Sequence, residues 1–181
     1  MQDAGDVEFV FLQHAHQADL IKGFCTGSGV HAERANAAVA EIYDLVAKDR
    51  GELTVVVGLL AGEAVAVSAY RAVTLHPIEG QGTEAYIHIV AVRHDLQRQG
   101  VGRRLVLFTI AAVTSDWGHT PDIWTFVSPE NFASQQLFAS LSFALIEPAN
   151  ENGSSVRTIA GPTAALLIGG VVSDDISDLW R

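Results

Sequence analysis

Hydrophobic and polar positions follow two different periods along the chain, and these predict alternating strands and helices. Runs of β-branched, aromatic and alternating residues predict strands at Glu8–Ala15, Leu53–Leu60, Ala64–Tyr70, Glu84–Val92, Asp122–Val127, Phe143–Glu147 and Val156–Ala160. Apolar residues at helical spacing predict helices at Gln17–Phe24, at His31–Lys48, after Gly100 and from Asn131 onwards. The resulting order, β-α-α-β-β-β-α-β-α-β-β, is that of a mixed α/β fold.

The strand Glu84–Val92 and the segment after Gly100 distribute their apolar residues differently. One face of the strand carries Ala85, Ile87, Ile89 and Ala91, and the other carries Tyr86, His88, Val90 and Val92. The segment after Gly100 is apolar on nearly every side, which predicts a helix buried against the sheet and against a further layer. Within the C-terminal extension, residues 161–181, Ala164–Ile168 fits a strand or a helix, so its structure stays open.

A glycine-rich turn, with Gly100 and Gly102, connects this strand to this helix. A helix N-terminus offers N–H groups without partners in the helix and the positive end of the dipole, and both suit a phosphate. Glycine lets the backbone approach the anion closely. A Rossmann dinucleotide fingerprint does not fit, because Leu105 stands where a third glycine is required. An ordinary loop is the alternative to an anion site.

The distribution of charge favours the anion site. The chain has 11 Lys and Arg, 21 Asp and Glu and a net charge of −10, yet four arginines lie around this turn: Arg93, Arg98, Arg103 and Arg104. Positive charge gathered at one helix start predicts an anionic ligand there. The acidic chain as a whole is a poor general binder of nucleic acid or anionic membranes, so we expect neither as a partner.

Two segments resemble the GNAT-type N-acetyltransferases, which use acetyl-CoA. The strand Val90-Ala91-Val92 followed by Gln97-Arg98-Gln99-Gly100-Val101-Gly102 is similar to the family's acyl-CoA-binding segment. Some thirty residues further on, Asn131–Phe143 resembles the family pattern Asn-x-x-Ala/Ser-x-x-Leu-Tyr-x-x-Leu-Gly-Phe. The two segments have the family's order and spacing, and the resemblance extends over residues 7 to 160.

The resemblance implies one domain, residues 1–181, with a mixed α/β sheet of about six to seven strands, about four flanking helices and splayed central parallel strands. Acetyl-CoA would place its pantetheine against the main chain near Val90 and Val92 and against Asn131. Its pyrophosphate would lie on the N–H groups of Gln99 to Arg103. The implied cofactor-binding residues are Val90, Ala91, Val92, Gln97, Arg98, Gln99, Gly100, Val101, Gly102, Arg103, Asn131 and Phe138. No metal is implied.

The chemistry that the resemblance implies is direct attack of an amine on the thioester of acetyl-CoA. An alkylamine with a pKa of about 10.4 is mostly protonated at neutral pH, so a base must remove a proton. His88 is the candidate base, because relatives place Glu or His there and imidazole titrates in a suitable range. Tyr86 and Glu84 are the competing candidates. Phe138 replaces the family's usual tyrosine and cannot donate a proton, so the identity of the acid stays open.

That missing hydroxyl keeps a second function open, a non-catalytic acyl-CoA-binding or regulatory module with a retained cofactor cleft. A plain α/β domain without a ligand would require both resemblances to be accidental. The single Cys25 excludes an internal disulfide, and the N-terminus lacks a signal-peptide pattern, which together predict a cytoplasmic protein.

The identity of the amine acceptor is not written in any motif. The resemblance places its determinants in Gln17–Arg50, in the Leu75–Gly82 loop and in the C-terminal tail. The acceptor is therefore expected to be a small-molecule or peptide amine of undetermined structure. The apolar run Ala164–Val172 and the apolar helix after Gly100 are compatible with a homodimer.

Overall fold

The computed structural model describes residues 6–12, 14–48, 53–73, 84–117, 122–128, 130–146 and 157–160. Seven strands lie in these ranges: β1 Glu8–Leu12, β2 Thr54–Leu60, β3 Glu63–Val73, β4 Glu84–Val92, β5 Ile123–Val127, β6 Ala144–Ile146 and β7 Arg157–Ala160. Three α-helices accompany them: α1 Val30–Ala47, α2 Val101–Trp117 and α3 Phe132–Ser140. Two 3₁₀ helices span Ala15–Ile21 and His94–Leu96. The predicted mixed α/β class is confirmed.

The chain divides into two compact units, and β4 and α2 each contribute to both. The first unit comprises Met1–Arg71 and His88–Thr109, and the second comprises Ala72–Ile87 and Ile110–Arg181. In the first unit the strand order is β1-β2-β3-β4, and in the second it is β4-β5-β7-β6. The glycine-rich turn before α2 belongs to the first unit, whereas α3 belongs to the second.

The first unit buries both faces of its strands. On one face the buried residues of the first 3₁₀ helix and of α1 pack with those of the strands: Ile21, Val39, Ile42, Val55, Val57, Val67, Ala69, Ile89 and Ala91. On the other face the rings of Phe9 and Phe11 in β1 contact Phe108 of α2, with centroids 5.6 and 5.3 Å apart. A Cβ at Gly58 of β2 would lie 3.0 Å from the ring of Phe9, so the close packing here favours glycine.

The second unit contains a parallel pair and two antiparallel pairs. β4 and β5 pair in parallel with Tyr86 opposite Trp124, in a register that runs from Ala85 to Ile87 on β4. The buried hydroxyl of Thr125 donates a hydrogen bond to Ile87 O at 3.0 Å and so links β5 to β4. β7 then pairs antiparallel with β5 on one side and with β6 on the other.

Most predicted elements agree with the structure to within a few residues, but the predicted helix Gln17–Phe24 is a 3₁₀ helix at Ala15–Ile21. Gln17 N–H donates to His14 O, an i to i+3 bond, and Gln17 Oε1 accepts from His14 N–H. Only Ala18 and Ile21 are buried, three residues apart, which is the repeat of a 3₁₀ turn. Such a short segment gains too little burial to form an α-helix.

The predicted burial of α2 is confirmed, since all residues from Leu105 to Ile110 are buried. Within the part of the chain that the structure describes, no helix is long and apolar enough to span a membrane. Two segments that carry predictions lie outside the described residues. They are the Leu75–Gly82 segment, which includes the predicted loop Pro77–Gly82, and the tail from Gly161.

Candidate active site

The turn between β4 and α2 has a backbone conformation that suits glycine. Arg98 and Gly100 have φ angles of 60° and 83°, in the left-handed region that glycine adopts without strain. A Cβ at Gly100 would meet no atom within 4 Å, so the space beside it is open. The first main-chain bond of α2 runs from Arg104 N–H to Gly100 O at 3.1 Å. The N–H groups of Val101 and Gly102 therefore lack acceptors within the helix and can bind an anion.

Two glutamine side chains hold this turn in place. Gln97 Nε2 donates to Val92 O at 2.9 Å and to Thr26 O at 3.4 Å. Gln99 Nε2 donates to Asp95 O at 2.7 Å. Both amides therefore bond to main-chain carbonyls around the turn and stabilise its conformation. Their predicted contacts with a cofactor stay predictions.

A partly buried polar network that contacts the turn was missed by the sequence analysis. Thr26 is 5% exposed, and its N–H and hydroxyl donate to Asn36 Oδ1 at 2.8 and 3.0 Å. Asn36 Nδ2 donates in turn to Gly27 O at 3.3 Å. A Cβ at Gly27 would lie 3.0 Å from the Cβ of His94, so the network packs closely against the turn. The available signal was Asn36 itself, an amide among the alanines of α1.

The four arginines around the turn do not have the same role. Arg93 donates to both carboxylate oxygens of Asp95 at 2.8 and 3.0 Å and lies 3.5 Å from Glu63. The hydrogen bond from Arg93 lowers the pKa of the Asp95 carboxyl, and the same bond raises the pKa of Arg93. Arg104 donates to Val7 O at 2.9 Å and stacks over the ring of Phe9. Arg93 and Arg104 therefore have structural partners in the fold, and the anionic ligand that the four arginines predict stays a prediction.

The candidate catalytic residues lie on the less buried positions of β4. The predicted division of this strand is confirmed, because Ala85, Ile87, Ile89 and Ala91 are buried and the alternate residues are not. His88 is exposed. Tyr86 is half-buried and contacts Phe126 edge to face, with ring centroids 5.5 Å apart. Glu84 is half-buried as well, and its Oε2 atom is fully enclosed.

The second resemblance segment folds as the capped helix that the sequence predicts. Asn131 Oδ1 accepts from Ser134 N–H at 3.2 Å and caps α3. Phe138 is 3% exposed and packs edge to face on Phe143 at 5.0 Å. Asn131 thus has a structural role, and its predicted bond to pantetheine would use the amide nitrogen. The ring of Phe138 is interior packing, and its predicted contact with the cofactor stays a prediction.

The first resemblance segment lies in the first unit, and Asn131 and Phe138 lie in the second. Glu84 and Tyr86 also belong to the second unit, whereas His88 belongs to the first. Within the described ranges, no three His, Cys, Asp or Glu residues form a group that could hold a metal ion.

The family of the chain follows from a comparison with protein-family models. The model described as "Acetyltransferase (GNAT) family" matches residues 20–143, about two thirds of the chain. The chain therefore belongs to the GNAT acetyltransferase family. No curated protein matches it.

Several solved structures share the fold. A mutant of the toxin AtaT, bound to the C-terminus of the antitoxin AtaR and acetyl-CoA, is 16% identical with a TM-score of 0.65 over 89% of this chain and 96% of that one. The KacTA–DNA complex is 14% identical with a TM-score of 0.64 over 95% and 99%. The NatC complex bound to Gag peptide and CoA is 14% identical with a TM-score of 0.54 over 86% and 98%.

At these identities the likeness establishes the fold alone. The partners named for these proteins differ: an antitoxin peptide, DNA and a Gag peptide. One neighbour occurs in a DNA complex, so the fold gives no support to the exclusion of nucleic acid that net charge suggested.

Proposed function

We propose that the chain is an N-acetyltransferase that moves the acetyl group of acetyl-CoA to an amine by direct attack on the thioester. One observation carries the cofactor half of this proposal: the N-terminus of α2 presents its main-chain donors beside the open space at Gly100. Membership of the GNAT family and neighbours solved with acetyl-CoA or CoA support it.

The proposed cofactor contacts are mostly made by the main chain. The pyrophosphate binds the N–H groups from Gln99 to Arg103, and the exposed Arg98 adds positive charge. The pantetheine bonds to the main chain of β4 between Val90 and Val92. The parallel register of β4 with β5 covers Ala85 to Ile87, and Val90 to Val92 lie outside it, which supports this main-chain contact.

In the proposed reaction the neutral amine nitrogen attacks the thioester carbonyl, the C–S bond breaks, and CoA leaves as a thiolate that takes up a proton. His88 removes the proton from the amine, and its exposed position on β4 supports this role. Tyr86 or water supplies the proton to the thiolate. Tyr86 supports this because it has the only hydroxyl among the three candidates, whereas Phe138 has none.

Glycine substitutions test the cofactor site. The pair Gly100→Asp and Gly102→Asp should abolish acetyl-CoA binding measured by calorimetry, because it places carboxylates where the pyrophosphate lies. Gly62→Asp is the matched control, since Gly62 has the same φ of 83° and the same open surroundings but lies in the turn between β2 and β3. Unchanged acetyl-CoA binding in the double variant would contradict the proposed cofactor site.

Replacement of His88 tests the catalytic step. His88→Ala should lower kcat for acetyl-CoA-dependent thiol release about a hundredfold or more, because a positioned base contributes that much. His31→Ala, an exposed histidine on α1, is the control and should leave kcat unchanged. The assay requires a panel of polyamines, amino acids, aminoglycosides and peptide N-termini.

The second candidate is a non-catalytic acyl-CoA-binding or regulatory module. The apolar, buried Phe138 favours it, since this ring takes the place of the family's usual proton donor. This candidate predicts acetyl-CoA binding without turnover of any amine, and it predicts that His88→Ala has little effect on that binding. We further propose a single domain over residues 1–181, a cytoplasmic location and no resident metal. The homodimer that the sequence allows is tested by measuring the oligomeric state in solution.

A further inference from the structure

Nearly all of the net negative charge belongs to one of the two units. Residues 72–87 and 110–181 contain ten Asp and Glu but only two basic residues, Arg157 and Arg181. Residues 1–71 and 88–109 contain eleven acidic and nine basic residues, which nearly cancel. The first unit carries the turn proposed for the anionic cofactor, so the acidic second unit is suited to a ligand of the opposite charge.

The second unit also exposes an aromatic surface on the paired strands β4 and β5. Tyr86 pairs with Trp124 in register, so their side chains share a face of the sheet. Phe126, two residues further on, lies on that face as well. It contacts Tyr86 edge to face at 5.5 Å with an interplanar angle of 64°. We call Tyr86, Trp124 and Phe126 the aromatic platform.

The aromatic platform combines an exposed ring with nearby carboxylates. Phe126 is 48% exposed, which is unusual for a large apolar residue in the middle of a strand. Glu84 lies two residues before Tyr86 on the same face of β4, and the exposed Asp122 comes just before β5. An aromatic ring attracts an ammonium group to its face, and its carbon surface accepts the methylenes of an alkyl chain.

We propose that the aromatic platform and its flanking carboxylates select the acceptor as a linear alkylamine with at least two ammonium groups. The inference rests on the proposed N-acetyltransferase function and names its substrate class. The amine that attacks must first lose its proton and its charge. Recognition by an acidic aromatic surface therefore acts on a second ammonium group, which stays charged while the first nitrogen reacts.

This surface fits a polycation better than a nucleic acid. Among the described residues of the second unit, four are acidic and one is basic, namely Glu84, Asp116, Asp122, Glu130 and Arg157. This excess of negative charge would repel a polyphosphate strand. A monoamine carries no charge once its reacting nitrogen has lost a proton, so it gains nothing from the carboxylates of Glu84 and Asp122. The charge and the exposed ring thus point to the same class of ligand.

Two amines with the same six-carbon chain provide the test. Hexane-1,6-diamine has two ammonium groups and hexylamine has one, so their kcat/KM ratio isolates the second charge. We expect the diamine to be preferred about tenfold or more, and we expect the preference to shrink at high ionic strength because exposed charges are screened. Equal kcat/KM for the two amines, or better turnover of hexylamine, would overturn the inference.

The platform itself is tested with Phe126→Leu, which keeps an apolar side chain but removes the π face. The variant should bind hexane-1,6-diamine about three- to tenfold more weakly in calorimetry with CoA present. Phe126→Tyr should restore the affinity. Phe132→Leu is the matched control, because Phe132 is 70% exposed in the same unit but lies on α3.

The outcomes separate this inference from the proposed function. Turnover of other amines with no preference for the diamine, or diamine binding unchanged in Phe126→Leu, overturns the inference and leaves the N-acetyltransferase intact. Diamine binding that depends on Phe126 without turnover of any amine supports the platform and contradicts catalysis. Acetylation confined to lysine-rich peptides or to aminoacylated RNA overturns the choice of a small linear amine.

Discussion

Arg93 and Asp95 occupy the border of the turn, and their pairing shows that a charged residue near a site need not belong to it. The two hydrogen bonds from the guanidinium to the carboxylate join side chains that are two positions apart in the sequence. Arg104 is similarly engaged by Val7 O and the ring of Phe9. Because the Asp95 carboxylate offsets the charge of Arg93, the net positive charge around this turn is less than four arginines would supply.

The Arg93–Asp95 pair predicts a small dependence of stability on pH. Because Arg93 lowers the pKa of Asp95 in the folded state, the pair stabilises the fold above the unfolded-state pKa of about 3.9. That contribution is lost as the pH falls from there through the lower folded-state pKa. Asp95→Asn should cost less than about 1 kcal/mol at pH 7, because the pair faces solvent, and should lose less stability on acidification.

Urea unfolding at pH 7 and at pH 2.5 measures this effect. Asp19→Asn is the control, since Asp19 forms a long, exposed pair with Lys22 at 4.0 Å. The same acid-induced loss in wild type, Asp95→Asn and Asp19→Asn would contradict the prediction.

Asn131, the N-cap of α3, has one observed role in the helix and one proposed role in cofactor binding. The oxygen of the Asn131 side chain caps the helix through Ser134 N–H, while its nitrogen is the group that could donate to pantetheine. The adjoining residues reinforce this start, since Gln135 Nε2 donates to Ser128 O at 3.1 Å and Ser128 donates to Glu130. The helix start is therefore built from side chains next to it in sequence, which is why the motif alone predicted the cap.

Two substitutions at this position separate the cap from the cofactor contact. Asn131→Ala removes both groups and should cost about 1 kcal/mol of unfolding free energy, the usual value of an N-cap. Asn131→Asp keeps the cap oxygen but loses the amide donor. It should leave the stability near wild type and raise the KM for acetyl-CoA severalfold if the amide binds pantetheine. Equal KM values for wild type and Asn131→Asp would remove Asn131 from the cofactor site.

The chain is proposed to be one domain, yet it divides into two compact units. Whether the two units unfold cooperatively can therefore be tested. β4 and α2 are each continuous through the boundary between the units. A strand and a helix that belong to both units cannot unfold in one unit without losing bonds in the other. We therefore expect the two units to unfold together.

Tryptophan fluorescence tests this expectation directly. All three tryptophans, Trp117, Trp124 and Trp180, belong to the second unit, so their emission reports on that unit alone. Amide hydrogen exchange of α1 reports on the first unit. Coincident urea midpoints for the two probes are expected for one domain. Midpoints that differ well beyond error would show two independently folding units.

The sequence by itself determined which segments become strands and helices, and it located both family segments. These features depend on local periodicity, on glycines and on a cap, all of which act between residues close together in the chain. Thr26 and Asn36, ten residues apart, escaped detection because their bond forms only when α1 is in place.

Only the tertiary structure decided which arginines are engaged by the fold, that Phe138 is packed inside, and that Phe126 stays exposed beside Tyr86. The contacts of Arg104 with Val7 and of Tyr86 with Phe126 join elements that are distant in sequence, so local periodicity could not predict them. The glycine-rich turn is the feature on which both levels agree, because the anion binding proposed for it needs only a local backbone conformation and a helix start.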